Sequence, residues 1–442
     1  MLFSGKDLRK IIIPLMVEQV LAITIGMIDT IMVSSAGEAA VSGVSLVDAL
    51  NLLLIYLFSA LSGGGAVIVS QLMGAKDHKQ AREASKQLIW IVFLASTAIC
   101  LTCALWRHGL LDLIYGGLAQ DVMDSARVYF LYTALSLPFY GVFSACSSVF
   151  RAEGNSKISL YCSIGMNLIN VGGNAWLILG LHMGAEGAAI ATLVSRVVGA
   201  AVMLILIGRK GHELYVEKLA VFRPQWKMIK RICYVGVPNG VENSMFQFGK
   251  VVTQSIVSGF ATAQIAANAV ANAMAPMQYT LGSAVGLAMI VVVGRCIGAK
   301  EEKQAIFYTK KLMVIAYAAI LAVVAVMWVL SHALVGAYDL SPEAAPLARE
   351  LLVFHGICCA TVWPVGFVLP SAFRAAGDVR FSMVLAIASM WIFRVGLGYF
   401  FGCVMQMGVM GVWLAMACDW TFRAVIFTIR FYRKKWLGRQ VI

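Results

Sequence analysis

Charged and amide side chains lie inside long apolar stretches of this chain, and these are the groups that could do chemistry. Carboxylates stand at Glu18, Asp29 and Glu242, while Asn170 and Asn174 share one helix face because they are four residues apart. A carboxylate in a low-dielectric cavity is neutralised by a proton, by Na⁺ or by an organic cation, and these occupants exclude one another. Such chemistry is typical of an exchanger rather than an enzyme, so no catalytic residue is predicted.

Another set of charges is predicted to be structural. Arg394 and Asp419 come out at matched depth when about 1.5 Å is counted per residue along each predicted helix. Asp419 and Arg423 are four residues apart and therefore neighbours on one helix. We expect these three residues to form an internal ion-pair cluster. Arg196 lies in the middle of another apolar stretch and is expected to pair with Glu18.

Each candidate for ion or substrate binding also has a simpler interpretation. Asp29 and Lys250 lie toward the outer leaflet, where the carboxylate could reach interfacial water and the lysine could extend its ammonium outward. Glu18 and Glu242 lie near the midplane, where a protonated carboxyl could serve packing alone. Because a charge in a span costs roughly 2.5–3.5 kcal/mol on insertion, Lys250 stays grouped with the candidate coupling and substrate-binding residues.

The elements that hold these residues are predicted to be membrane-spanning helices. Of 442 residues, 60% are hydrophobic and 13% charged, with a mean hydropathy of +0.83, which excludes a soluble globular protein. A span needs about 20 apolar residues, which predicts an all-α polytopic membrane protein with about twelve helices. The predicted spans are 8–33, 46–70, 88–106, 126–148, 158–180, 185–208, 232–258, 270–294, 310–331, 350–372, 380–404 and 408–431.

The sequence contains an internal repeat. Glu18 recurs as Glu242, and Gly74-Ala75-Lys76 recurs as Gly298-Ala299-Lys300, in each case 224 positions later. Six helices per copy start both copies on the same side of the membrane, so the repeats are expected to be parallel. The predicted domains are an N-terminal six-helix lobe over 1–208, a cytoplasmic linker over 209–231 that contains a basic amphipathic helix, and a C-terminal six-helix lobe over 232–442.

The distribution of basic residues predicts the orientation. Of the 35 Lys and Arg residues, 28 fall in alternate loops or at the two chain ends, which places both termini in the cytoplasm. The net charge of +13 is therefore explained by topology and by contact with anionic membrane lipid. Binding to nucleic acid is not expected, since the basic residues are scattered over several short segments.

No cofactor is predicted apart from a coupling ion, H⁺ or Na⁺. The ten cysteines are scattered along predicted helices, and the six histidines do not have metal-ligand spacing. The sequence therefore predicts no metal site.

Several short motifs together resemble the multidrug and toxic compound extrusion family. They are Ile28-Asp29-Thr30-Ile31-Met32-Val33, the Gly74-Ala75-Lys76 turn, Phe150-Arg151-Ala152-Glu153-Gly154, Phe373-Arg374-Ala375-Ala376-Gly377 and Ala266-Ala267-Asn268-Ala269-Val270-Ala271-Asn272. The resemblance implies two six-helix lobes in a V shape that alternate access to the two sides. It also implies export of organic cations or other amphiphiles across the cell (inner) membrane, driven by Na⁺ or H⁺ entry. We expect the protein to act as a monomer.

The same resemblance assigns the ion site only in part. Asp29 aligns with the family's acidic residue in the first helix, while Asn170 and Asn174 stand where the proton-linked branch has an Asn and an Asp. Glu242 resembles loosely an acidic residue of the sodium-driven branch, and Trp363 occupies the position of that branch's second acid. Neither branch's site is complete, so the coupling ion stays open.

Three other functions remain as alternatives. A lipid-linked oligosaccharide flippase of the same superfamily would have similar helices, but it usually needs several cationic residues in its cavity. A membrane-embedded enzyme would need a convergent nucleophile or metal cluster, and a passive channel would conduct without gradient-dependent exchange.

The orientation is testable by cysteine labelling in intact cells. A cysteine introduced at Gly259 or Met405 should react with a membrane-impermeant thiol reagent added outside, and one at Lys303 should not, because the basic loops stay in the cytoplasm. The opposite labelling pattern would show that the orientation is inverted.

Overall fold

A computed structural model describes residues 2–117, 119–217, 219, 221–338, 340–438 and 441–442, and within these ranges the chain is helical. Four π-helical segments follow or interrupt the α-helices in the described residues, at Ala175–Gly180, Pro364–Val368, Met390–Leu397 and Phe400–Val404. The α-helices are α1 Gly5–Ser34, α2 Glu38–Gly74, α3 His78–Leu105, α4 Arg107–Tyr115, α5 Gln120–Ala152, α6 Ser156–Asn174, α7 Gly184–Gly208, α8 Trp226–Val257, α9 Thr262–Gly298, α10 Glu302–Val329, α11 Ser331–Gly336, α12 Ala344–Thr361, α13 Leu369–Ala375, α14 Val379–Ser389 and α15 Gly408–Tyr432.

The helices have the length and composition of membrane spans. In the described part of the chain, ten helices are long and apolar enough to cross a membrane, and an eleventh forms if α12 and the helix from Pro364 to Ala375, bent by 60° at a short break, count as one. The predicted seventh span corresponds to α8, which has 32 residues but is more polar. The all-α polytopic fold is confirmed, and the twelfth span stays a prediction.

Backbone turns repeat along the chain with the same offset as the sequence. Lys76 and Lys300 have φ angles of 60° and 59°, and His182 and Gln406 have 53° and 55°. Left-handed backbone is unusual for residues with a side chain, so its recurrence 224 positions later shows that both copies fold with the same local geometry.

Two units are distinguished by their internal packing. The first is Gly5–Gly240, and the second is Val241–Ile442 with the residues up to Ser4. In the first unit α5 packs against α2, α3 and α7, and in the second α9 packs against α10 and α12. The N-terminal residues are fixed by Tyr308, whose hydroxyl accepts from Phe3 N at 3.0 Å and donates to Phe3 O at 2.8 Å.

The prediction that the linker over 209–231 contains a separate amphipathic helix, within Phe222–Arg231, is wrong. Residues 221–225 are not helical, and Trp226 begins α8, which continues to Val257. Pro224 explains why the residues just before it are not helical, since proline disfavours helical backbone at the preceding residue. Gln87 holds the extended segment against α3 by donating to Arg223 O at 2.7 Å. Two basic residues counted for the topology, Lys218 and Arg439, lie outside the described residues.

Glycine allows two helices of the first unit to touch through their backbones. A Cβ added at Gly64 on α2 would lie 2.5 Å from the backbone nitrogen and 2.6 Å from Cα of Gly236 on α8. Real Cβ atoms do not come this close to backbone, so the two helices would have to move apart.

We expect Gly64→Ala to lower the free energy of unfolding by about 1–3 kcal/mol, the usual cost of overpacking. The measurement is thermal unfolding of the purified protein in detergent. Gly165→Ala is the matched control, because its added methyl meets nothing within 4 Å. Equal stability of both variants would contradict the close packing.

Candidate functional site

A cavity of about 270 Å³ lies inside the first unit, between α1, α2, α5, α6 and α7. Its wall carries two carboxylates, Asp29 on α1 and Asp48 on α2, together with the guanidinium of Arg196 on α7. Asn170 and Asn174 face it from α6, as their four-residue spacing requires. The predicted residues Asp29, Asn170 and Asn174 are therefore brought together in one site.

Amide groups surround the Asp29 carboxylate. Asn174 Nδ2 donates to Asp29 Oδ1 at 2.9 Å. The amide nitrogen of Asn170 is assigned to the side facing Asp29, because carboxylate oxygens can only accept, and it then lies 3.0 Å from both of them. The carbonyl oxygen of Asn170 lies 3.2 Å from Thr192 Oγ1 on α7. The donors around the Asp29 carboxyl group are thus uncharged amides.

Asn174 contributes an unused acceptor to the same site. Its Oδ1 atom is buried and has no hydrogen-bond partner among the described residues. A buried amide oxygen without a partner costs free energy, and a cation or a donated proton in the cavity would satisfy it. An amide can also turn to present either its donor or its acceptor end, so Asn170 and Asn174 suit both charge states of Asp29.

Asp48 and its neighbours were missed as site residues. Tyr129 OH donates to Asp48 Oδ1 at 3.0 Å, and the Asp29 and Asp48 charges act on each other. The sequence showed Asp48 inside an apolar stretch, but its place near the predicted end of that span hid its depth. Since α2 begins at Glu38, Asp48 is a further turn or more into the helix than the predicted span start implied.

The predicted pairing of Arg196 with Glu18 is wrong. Arg196 Nη1 donates to Ser136 Oγ at 2.8 Å, and its guanidinium lies 5.2 Å from the centre of the Tyr140 ring. Arg196 acts electrostatically on Asp48 instead. Within the described chain no ion pair joins Arg196 to Glu18, because α7 turns this side chain into the cavity.

Glu18 and Glu242 lie outside this cavity and have equivalent surroundings in the two copies. Ser159 Oγ donates to the buried Glu18 carboxylate at 3.2 Å, and Arg151 acts on it electrostatically. Glu242 Oε1 lies 4.0 Å from Arg374 Nη1. Arg151 and Arg374 are themselves repeat equivalents in the Phe-Arg-Ala motifs. Each glutamate therefore lies near the arginine of its own Phe-Arg-Ala motif, and neither lines the cavity.

In the second unit, Asp419 pairs directly with Arg423 rather than with Arg394. Arg423 Nε donates to Asp419 Oδ1 at 2.9 Å, and Arg423 Nη2 donates to Ala386 O at 2.9 Å. Arg394 is influenced by the Asp419 charge, but no direct ion pair between them occurs in the described residues. Equal depth did not decide the partner, since the side chains also have to point toward each other.

Aromatic rings replace the acid expected near Trp363. Tyr279 stacks on Trp363 with ring centres 4.9 Å apart, and Trp363 stacks on Phe367 at 5.3 Å. His355 Nδ1 lies 2.5 Å from Gln278 Oε1. Because Gln278 Nε2 donates to a backbone carbonyl, its oxygen accepts and His355 Nδ1 carries the hydrogen. The described residues contain no cluster of three or more metal-ligating side chains.

Known proteins resemble this chain over nearly its whole length. The uncharacterized transporter YisQ of Bacillus subtilis is 25% identical over 431 residues, covering 96% of this chain and 94% of YisQ. The probable multidrug resistance protein NorM of Thermotoga maritima is 24% identical over 443 residues, which cover 99% of this chain and 94% of that NorM. A solved outward-facing structure of a multidrug resistance MATE family transporter matches with a TM-score of 0.90 at 19% identity. The match covers 97% of this chain and 95% of that transporter.

The family's sequence model matches the chain twice, over residues 14–176 and 238–400, which repeats the 224-residue offset. These features define a twice-repeated, multi-pass helical membrane transporter. The chain belongs to the MatE family. The resemblance to the multidrug and toxic compound extrusion family is thereby confirmed.

We expect Asp419→Asn to lower the free energy of unfolding by about 3–5 kcal/mol, because it leaves the buried Arg423 without its counter-charge. The double variant Asp419→Asn/Arg423→Met should lose less, since both charges are then removed. Thermal unfolding in detergent measures the difference, with the exposed Glu350→Gln as control. Additive losses in the double variant would refute the pairing.

Proposed function

We propose that this transporter is a secondary active antiporter that exports organic cations or other amphiphilic small molecules in exchange for H⁺ by alternating access. The observation that supports this most is the Asp29 carboxylate, which opens into a cavity and is held by uncharged amides rather than by a basic side chain. Such a carboxylate is free to accept a cation.

The charge balance of the cavity supports competition between cations. Two carboxylates, Asp29 and Asp48, face one guanidinium, that of Arg196, so the cavity carries one net negative charge when both acids are ionised. The two acids repel each other in a low-dielectric space. One bound proton or one monovalent organic cation restores neutrality, and the arrival of either displaces the other.

The hydrogen bonds around Asp29 favour H⁺ over Na⁺ as the coupling ion. Sodium needs several oxygen ligands at once, whereas Asn170 and Asn174 present their amide nitrogens to Asp29. For Na⁺ to bind, both amides would have to turn. A proton on Asp29 needs one amide to turn, so that a carbonyl oxygen accepts the new O–H.

The same proposal includes the setting of the protein. It works as a monomer in the cell (inner) membrane with both termini in the cytoplasm, surrounded by lipid, and its one inorganic partner is the coupling ion. Glu242 is proposed to support the second unit through Arg374 rather than to bind the ion itself.

The experiment is exchange in liposomes that contain the purified protein. An outward-directed flux of tetraphenylphosphonium should be driven by an imposed pH gradient at zero Na⁺, and Asp29→Asn should reduce it to the level of protein-free liposomes. Lowering the pH should weaken equilibrium binding of tetraphenylphosphonium to the native protein, because protons compete for Asp29, and should have little effect on binding to Asp29→Asn.

Asp121→Asn is the matched control, since this carboxylate is exposed at the start of α5. Exchange that requires a Na⁺ gradient at clamped pH would show that the coupling ion is Na⁺. Unchanged exchange by Asp29→Asn would overturn the proposed site.

A further inference from the structure

The second unit contains an excess of positive charge that its own ion pair does not balance. Arg394, in the π-helical segment after α14, is acted on by the charges of Asp419 and Arg423 on α15, and Lys250 on α8 lies close enough to Arg394 for their charges to interact. We call these four residues the basic cluster. Three cations against one carboxylate leave two net positive charges inside helices that have the properties of membrane spans.

Arg423 has an ion-pair partner and a backbone acceptor, whereas no direct ion pair of Arg394 or Lys250 occurs in the described residues. Arg423 uses Asp419 and a backbone carbonyl. Arg394 is 9% exposed, and its Nε has no hydrogen-bond partner among the described residues. Lys250 is exposed and makes no hydrogen bond or ion pair with any residue that the structure describes, although its charge acts on Arg394. Lys250 and Arg394 thus repel each other, and the acid that acts on Arg394, Asp419, is already paired with Arg423.

The repeat places this cluster where the first unit has its cavity. Adding the 224-residue offset to Gly26, Asn170 and Ser195, which line the cavity, gives Lys250, Arg394 and Asp419. The alignment near Arg394 is supported by Val171-Gly172, which recurs as Val395-Gly396. Because both copies fold alike, these side chains belong to the face that corresponds to the cavity wall.

At the position of the second unit that is equivalent to the cavity acid of the first unit, the residue is neutral. Asp29 corresponds to Thr253, and Asn170, which donates to Asp29, corresponds to the positively charged Arg394. The polarity of the two sites is therefore opposite. A site built in this way attracts an anion and repels a cation.

Aromatic rings next to the cluster indicate the shape of the ligand. The guanidinium of Arg394 lies 5.4 Å from the centre of the Phe246 ring, and Arg423 lies 5.3 Å from that of Phe367. Phe246, Phe367 and Tyr279 are all partly exposed, so a ligand could contact their faces. Charged and aromatic groups side by side suit a molecule with an anionic head and an apolar body.

We propose that the basic cluster binds the anionic group of an amphipathic cargo, with Lys250 and Arg394 as its ligands and the aromatic rings against its apolar part. A carboxylate fits this role, because it can accept from both a lysine ammonium and an arginine Nε–H. The inference rests on the proposed transport function for its meaning, and it extends the cargo from organic cations to organic anions and zwitterions.

The test is calorimetric titration of the purified full-length protein in detergent with 2-naphthoate. Loss of a charge-assisted contact in Lys250→Met should weaken naphthoate binding about 10- to 100-fold, and Lys250→Arg should retain most of the affinity. The exposed Lys303→Met is the control and should bind as the native protein does. The neutral 2-naphthamide should bind weakly and equally to all four proteins.

Equal naphthoate affinity in native protein and Lys250→Met, or no binding to the native protein, would overturn the inference. The titration is repeated in nanodiscs of phosphatidylcholine with and without phosphatidylglycerol. Unchanged binding supports a soluble anion, whereas competition by phosphatidylglycerol would assign the cluster to a lipid headgroup and refute the cargo. Because binding needs no ion gradient, Asp29→Asn should still bind naphthoate, so a failure of exchange is distinguished from a failure of this site.

Discussion

Compensation of charge inside apolar helices is the constraint on which the rest of this structure depends. A charged side chain in a membrane span is costly unless a partner, a cavity or an ion neutralises it. Asp419 meets this requirement with Arg423 at 2.9 Å, and Asp29 meets it with neutral amide donors. The difference matters for function, since a charge that is already paired cannot exchange its partner, whereas a charge held by amides can.

The repeat separates structural charges from functional ones. Glu18 with Arg151 and Glu242 with Arg374 occur at equivalent positions, and in each unit the arginine acts electrostatically on the glutamate or lies close to it. An interaction that both copies need is one that holds each copy together. Asp29, in contrast, has the uncharged Thr253 as its equivalent. Charges present in one copy alone are the ones that give the two units different chemistry.

Opposite polarity in two copies of one fold has a consequence for cargo. A cavity with excess carboxylate and a cluster with excess base can serve cargoes of opposite sign. The aromatic rings of Phe246 and Phe367 lie beside the basic cluster, and Tyr129 and Tyr140 line the acidic cavity. Both sites thus combine charge with apolar surface, the combination that amphiphiles require.

The amino-acid sequence by itself determined the helical spans, the repeat and the common helix face of Asn170 and Asn174. These features follow from local properties: a run of apolar residues long enough to cross a bilayer, matched motifs at one offset, and side chains four apart on one helix face. The family resemblance then connected Asp29 to the amide-bearing helix. No knowledge of neighbouring helices was needed for the spans or the repeat.

Only the tertiary structure decided which charges face each other. Depth along a helix follows from a constant rise per residue, which predicted Arg394 and Asp419 at similar height, but the direction of each side chain depends on how its helix is rotated against its neighbours. That rotation turns Arg196 toward Ser136 instead of Glu18, and in the described residues it leaves Arg394 without a direct ion pair to Asp419. It is set by packing over the whole helix surface, which no short pattern in the sequence records.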